Sequence, residues 1–295
     1  MKHKFIWAGA FTLLLVLFSV FTMLDAFVFP KVYSQTISGN DDSVPADAPQ
    51  NEPLIDNDSY INDNINIYIE RCSKDGAVYY VADIQLASVD YLRTAFANNT
   101  YGKNVTQPTS KMASDNNAIF AINGDYYGFR DNGIVIRNGI LYRDVPRSAP
   151  DNQSLTIDIN GNMDIVTEKK GVGQSLIDSS VLQAFSFGPV LVKDGVAAKI
   201  NTKSVSETEN PRTAIGQISP LHYIFIVVDG RTSDSSGMTL EQLTNVFLEK
   251  GCNIAYNLDG GGSSTMWFKG KVINVPIDGK SGAERSVSDI IYIPG

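Results

Sequence analysis

Tyr223-Ile224-Phe225-Ile226-Val227-Val228 followed by Asp229-Gly230-Arg231, and Asn253-Ile254-Ala255-Tyr256-Asn257-Leu258 running into Asp259-Gly260-Gly261-Gly262-Ser263-Ser264-Thr265, decide how this chain folds. Each opens as an apolar run of strand length and ends on Asp-Gly. Between them Thr239-Leu240-Glu241-Gln242 reads as a capping box. It opens a helix through Leu243, Val246, Phe247 and Leu248 that stops at Gly251. Strand, helix and strand in that order predict one parallel crossover within a mixed sheet. Asp229 and Asp259 then fall at equivalent strand ends, where ligands gather in open sheets. The bland reading of either Asp is a turn cap before glycine. The three glycines have no such reading, since glycine is entropically costly and buries no side chain.

Outward from this centre the chain is strand-rich. Ile65 to Ile69 alternates with period two, and Val78-Tyr79-Tyr80-Val81 follows the turn Lys74-Asp75-Gly76. Asn138-Gly139, Asn160-Gly161 and Asp194-Gly195 read as further hairpin turns, as does Lys269-Gly270 after Met266-Trp267-Phe268. Ser88 to Ala97 reads as a second helix. The fold class is therefore α+β, a single domain with a mixed, mostly antiparallel sheet and a few packed helices.

An apolar run from Phe5 to Leu24 follows Lys2, His3 and Lys4 and is long enough to cross a bilayer. Residues 1–29 are expected to form a cytoplasmic tip and signal-anchor helix, with the rest outside the membrane. A cleaved signal peptide, giving a secreted protein, is the rival. Residues 30–59, rich in Pro, Asn, Ser and acids, are expected to be a solvated linker, leaving 60–295 as the globular part. The chain has 295 residues and a formal charge of −8. That balance gives no support to nucleic-acid binding. Its two cysteines, Cys72 and Cys252, leave pairing and free thiols equally open, and two Cys with two His make no zinc pattern.

The glycine tract lacks the Lys of a phosphate loop and leads into a hairpin. G-x-S-x-G fails because Thr265 stands where the last glycine belongs. His222 opens an apolar strand and reads as structural. What remains is a chemistry of carboxylates, arginines and backbone amides. Ile122-Asn123-Gly124-Asp125-Tyr126-Tyr127 reads equally as an ordinary turn under two rings or as the wall of a sugar site. Arg212, in Pro211-Arg212-Thr213-Ala214-Ile215-Gly216, is either paired structurally or presented to an anion. Glu284-Arg285 before Ser286-Val287-Ser288-Asp289 reads by default as a surface ion pair.

Together with Phe187-Gly188-Pro189-Val190-Leu191, these segments resemble the phosphodiester glycosidase family, in matching order from Ile65 to Ile293. The resemblance implies a hydrolase releasing sugar from a GlcNAc-1-phosphodiester-like substrate; its bacterial relatives are of the exopolysaccharide type. On that footing Asp259, Asp125, Glu284 and Arg212 are the expected catalytic residues, with Arg212 on the phosphate and Asp259 at the anomeric carbon. Asn123, Gly124 and Tyr126 are expected to hold the sugar, with Asp229 behind them. Gly260, Gly261, Gly262, Ser263 and Ser264 are expected to present amides to departing charge, with Arg285 beside them. The expected partners are a cell-surface or exopolysaccharide glycan and, through the N-terminal helix, the bacterial membrane. No cofactor is expected; a metal-dependent phosphoesterase using a divalent cation is one alternative, and a glycan-binding or polysaccharide-assembly protein without turnover is another.

Overall fold

A computed structural model describes residues 6–35, 53–149, 152–200 and 207–295. Its centre is a nine-stranded sheet in which Arg212–Ser219 lies between Ile254–Asn257 and His222–Val228, antiparallel to both. The two outer strands thus run in the same direction, joined by the Leu240–Glu249 helix, but are separated by one strand and do not pair. All strand pairs described between named strands are antiparallel, so the predicted crossover exists without a parallel ladder.

Burial on both faces explains why Tyr223–Val228 does not alternate. Tyr223, Phe225 and Val227 point into the main core; Ile224, Ile226 and Val228 point to the opposite face. There Leu240, Leu243, Val246 and Phe247 of the helix cover them. The helix begins as its sequence requires: Thr239 Oγ1 accepts from the Gln242 N–H, and the Gln242 side chain accepts from the Thr239 N–H.

Two five-stranded sheets close the main core. One has Ala118–Asn123 beside Met266–Phe268 and Asp289–Pro294, contributing Phe120, Ile122, Met266 and Ile291. The other, built from Gly133–Arg137 to Val181–Phe185, contributes Leu155, Ile157 and Phe185. The hairpins turn where Asn-Gly and Asp-Gly place them, with Asp75, Gly76, Asn138, Gly139, Asp194, Gly195, Lys269 and Gly270 all at positive φ.

Two expectations are corrected. Ser88 to Ala97 is not a helix: Ser88 caps a single turn, Val89–Tyr91, and Arg93–Phe96 becomes a strand on Asp289–Pro294. The start signal was genuine, but an edge ladder that buries Ala95 and Phe96 outweighs weak helix propensity. The predicted linker also has structured ends, since Lys31–Gln35 pairs with Thr100–Lys103, and Leu54–Ile55 pairs with Ser59–Ile61. Residues 36–52 lie outside the described residues. The apolar segment is a helix, Ile6–Phe27, with its side chains exposed, long and apolar enough to cross a membrane. Such a helix is compatible with an anchor or a signal sequence. Cys72 and Cys252 are both free thiols.

Candidate active site

Asp259 follows the end of Ile254–Asn257, an inner strand of the central sheet, and lines an open cleft of about 190 Å³. Tyr126 and Phe129 form one wall, their rings stacked at 4.7 Å. Arg285 and Ser286 to Ser288 form the other, with Ser263 at the floor. Burial pushes the Asp259 carboxyl up to about 6, against the Ser263 hydroxyl and the Arg285 and Arg130 guanidinia, which favour its charged form.

The glycine tract folds into a single tight turn, Gly261–Ser263. Gly261 sits at φ +62°, and a β-carbon there would lie 3.4 Å from Arg231; one on Gly262 would lie 2.7 Å from Arg285. Two guanidinium groups therefore pack directly on the bare backbone, which is what the glycines permit. The amides are less available than expected. Gly261 N–H donates to Pro211, Ser263 N–H to Gly260 and Ser264 N–H to Gly261.

Asn123 holds both ends of this tract. Its Nδ2 donates to the Asp259 carbonyl at 2.7 Å, and its Oδ1 accepts from the Thr265 N–H at 3.2 Å and from the Thr213 hydroxyl at 2.8 Å. The side chain is fully buried, so its amide is spent on the scaffold and not on sugar hydroxyls. Asn123→Ala should cost about 2 kcal/mol through the unpaired groups left behind. Urea unfolding measures that loss, and faster amide exchange at Thr265 would localise it.

Asp125 is buried beneath the cleft. Its carboxylate accepts from the Tyr127 and Ser186 N–H groups at 3.0 and 2.9 Å and pairs with Arg137 at 3.1 Å. Arg137 also reaches Asp289 at 2.7 Å, completing a buried triad that sequence reasoning missed. Burial pushes the Asp289 carboxyl upward, opposed by Arg137. Gly124 is required because a β-carbon would stand 2.4 Å from Asp289 Oδ1.

Three expected site residues lie elsewhere. Arg212 projects to the helix-covered face of the central sheet, where Nε donates to the Met238 carbonyl and Nη2 to that of Thr208. Side chains alternate along a strand, so when Thr213 faces Asn123, Arg212 must face away. Asp229 accepts from Asn274 Nδ2 and the Val275 N–H, and Asn274 in turn donates to the Ser264 carbonyl. It braces the tract from behind. Glu284 accepts from the Ser110 N–H in the first turn of the Thr109–Asp115 helix, a capping position.

Arg130 and Phe129 are further residues that the sequence reading missed. Arg130 lies 5.4 Å from the Tyr126 ring and 4.9 Å from Phe187, which explains the aromatic of the Phe187-Gly188-Pro189 segment. Phe129 stood in the aromatic run after Asp125 and was legible as a candidate. Nothing local distinguishes Arg130 or Arg137 from surface arginines. His222 pairs with Asp83 at 2.8 Å, a structural contact. Among the described residues, no group of three His, Cys, Asp or Glu is placed to hold a metal ion.

A β-rich scaffold thus presents a carboxylate, the Arg285 guanidinium and stacked aromatics in one cleft. The chain belongs to the phosphodiester glycosidase family, which its residues 116–294 match. A SPbeta prophage-derived uncharacterized protein of Bacillus subtilis, YomE, is 34% identical over 200 residues, 65% of this chain and 30% of that protein. The match thus spans under a third of that relative. Among solved structures, the chain is similar to the zebrafish N-acetylglucosamine-1-phosphodiester alpha-N-acetylglucosaminidase catalytic domain auto-inhibited by its pro-peptide. That likeness has a TM-score of 0.63 at 20% identity, over 78% of this chain and 83% of that one. A hypothetical protein from Synechocystis shares the fold at TM-score 0.54 and 15% identity, over 78% of this chain and 62% of that one.

Proposed function

We propose that the domain hydrolyses the sugar-phosphate bond of sugar-1-phosphodiesters of the GlcNAc type, acting outside the cell membrane on surface-linked glycans while the N-terminal helix anchors it. The observation that carries this reading is the presence of Asp259 and Arg285 on one cleft walled by Tyr126 and Phe129. When the anomeric C–O bond breaks, the leaving group is a phosphomonoester whose conjugate acid has a pKa of about 6. It therefore needs charge stabilisation more than a proton. Arg285 is placed for that task, with Arg130 beyond the aromatic wall. The role expected of Arg212 passes to Arg285, because Arg212 is committed to carbonyls outside the cleft. Asp259 in its ionised form balances positive charge developing on the sugar or activates water. The aromatic faces of Tyr126 and Phe129 lie along the sugar ring.

The test is release of GlcNAc from a GlcNAc-1-phospho-alkyl diester or UDP-GlcNAc by the purified full chain, with and without EDTA. Binding without release would favour a glycan-binding protein, and loss of release on chelation a metal-dependent phosphoesterase. Arg285→Ala should lower kcat/KM by about 10²-fold or more, the scale of a lost transition-state charge partner. Its ion pair with Asp278 is half exposed, so the variant should unfold within about 1 kcal/mol of the parent.

A further inference from the structure

We propose that the domain sits with its cleft against the bilayer, and that the phosphodiester it takes carries a lipid aglycone embedded in that same membrane. The inference rests on the hydrolytic reading above and on the Ile6–Phe27 helix crossing the membrane. What carries it further is the way the chain leaves that helix.

Only Val28, Phe29 and Pro30 separate the helix from the strand Lys31–Gln35, so the strand begins at most about 14 Å from the helix end. That strand is paired to the domain. Lys31 stands opposite Lys103 and Val32 opposite Gly102. The approach is closer than any side chain would allow, since a β-carbon on Gly102 would lie 2.2 Å from the Lys31 carbonyl oxygen. Asn104 Nδ2 adds a hydrogen bond to the Phe29 carbonyl at 3.2 Å, and Lys31 pairs with Asp25 at 2.9 Å. The helix end is thus fastened to the globular part, not held at the end of a loose tether.

The anchorage point adjoins the cleft wall. The Asn104 N–H donates to the Gly128 carbonyl, and a β-carbon on Gly128 would lie 3.4 Å from the Gly102 carbonyl oxygen. Lys103, opposite Lys31, pairs with Asp131 at 2.9 Å. From the Lys31 strand to the Tyr127–Phe129 turn is therefore about two strand spacings, roughly 10 Å. Tyr33 meets Tyr101 at 5.8 Å, and Tyr101 stacks on Tyr127 at 5.3 Å, extending the same connection through side chains.

The surface around this point suits a lipid interface. Phe27, Val28, Phe29, Val32 and Tyr33 are all exposed, and Phe129 at the rim of the cleft is 36% exposed. A site this close to the headgroups cannot reach far into a soluble polymer. It meets instead a phosphate at headgroup level, with the sugar above in the cleft and the aglycone below in the acyl region. Hydrolysis there leaves a lipid phosphomonoester in the membrane and releases the free sugar, with water supplying the hydroxyl.

The test uses the full chain in phosphatidylcholine liposomes and two GlcNAc-1-phosphodiesters, one with a long acyl-type chain embedded in the bilayer and one with a methyl aglycone in solution. A flexible Gly-Ser insert of about twelve residues between Pro30 and Lys31 keeps the strand pairing but frees the helix from the domain. It should lower turnover of the embedded substrate about tenfold and leave the soluble one unchanged. Equal turnover of the embedded substrate by parent and insert would overturn the proposal.

A second measurement does not depend on turnover. In a Cys72→Ser background, a fluorophore on Phe129→Cys should be quenched by headgroup-spin-labelled lipid. One on Asp194→Cys should not, since Asp194 lies by Asn253, at the far end of the strand that delivers Asp259. Equal quenching at the two positions overturns the membrane-facing cleft. Quenching at Phe129→Cys, with no hydrolysis of either diester by the unlabelled parent chain, overturns the hydrolytic reading and supports the placement alone.

Discussion

Asp259→Asn should lower kcat about 10³-fold while leaving a folded and more stable domain. Asp259 is the carboxylate on the cleft floor, and no other carboxylate seen to line the cleft is free of a buried cation. Its carboxyl ionises near 3.8 when unfolded and at about 6 in the folded site, chiefly because burial disfavours charge. The folded state therefore prefers the protonated form. The stability this preference gives is fully present below about pH 4 and is lost as pH rises through about 6. At pH 7 the ionised group costs up to on the order of 3 kcal/mol, less whatever solvent at the cleft mouth screens. Asp259→Asn should accordingly melt higher than the parent at pH 7, with the gap closing below pH 4. On the proposed mechanism the ionised form does the work, so parent kcat/KM should rise with pH up to about 6 and then level. A descending limb through pH 6 would show instead that the protonated acid acts.

Arg137→Met should destabilise the domain by about 3–5 kcal/mol, the scale for leaving buried carboxylates without their cation. Arg137 is almost fully buried, paired with Asp289 at 2.7 Å and with Asp125 at 3.1 Å, and its guanidinium lies 4.2 Å from the Phe185 ring. The same residue is therefore ion-pair partner, hydrogen-bond donor to the Ile136 carbonyl and packing surface. Burial pushes the Asp289 carboxyl upward, so the variant's deficit should shrink as pH falls and Asp289 takes up a proton. Urea unfolding at pH 7 and pH 5 reads both effects. Lys250→Met, which breaks an exposed pair with Glu70, should by contrast cost less than about 1 kcal/mol. A similar loss in both variants would mean that the triad is not what holds the floor of the site.

The two predictions separate chemistry from scaffold, a distinction that residue types alone conceal. Asp125, Asp229 and Asp259 each precede or follow glycine at a strand end, and all three read as site carboxylates. Only Asp259 is left with its charge directed into the cleft. Asp125 is neutralised by Arg137, and Asp229 is occupied by Asn274 and Val275. Arg212 and Arg285 are likewise similar in sequence, each beside residues of a shared motif. One residue of strand alternation turns Arg212 onto the helix-covered face, and the turn at Gly262 brings Arg285 over the bare backbone.

The sequence by itself determined the local and periodic features. These are the α+β class, the hairpin turns, the capped helix, the long apolar segment and the placing of a glycine tract at a strand end. Each depends on φ preferences or on burial patterns that a few neighbouring residues specify. Only the tertiary structure decided which carboxylate stays chemically available, which arginine faces it, and that Lys31–Gln35 fastens the helix beside the cleft. Those outcomes depend on pairings between residues far apart in the chain, such as Arg137 with Asp289 and Lys31 with Lys103. A charge buried against a distant partner is spent, and one left facing solvent remains reactive; local sequence carries no record of that difference.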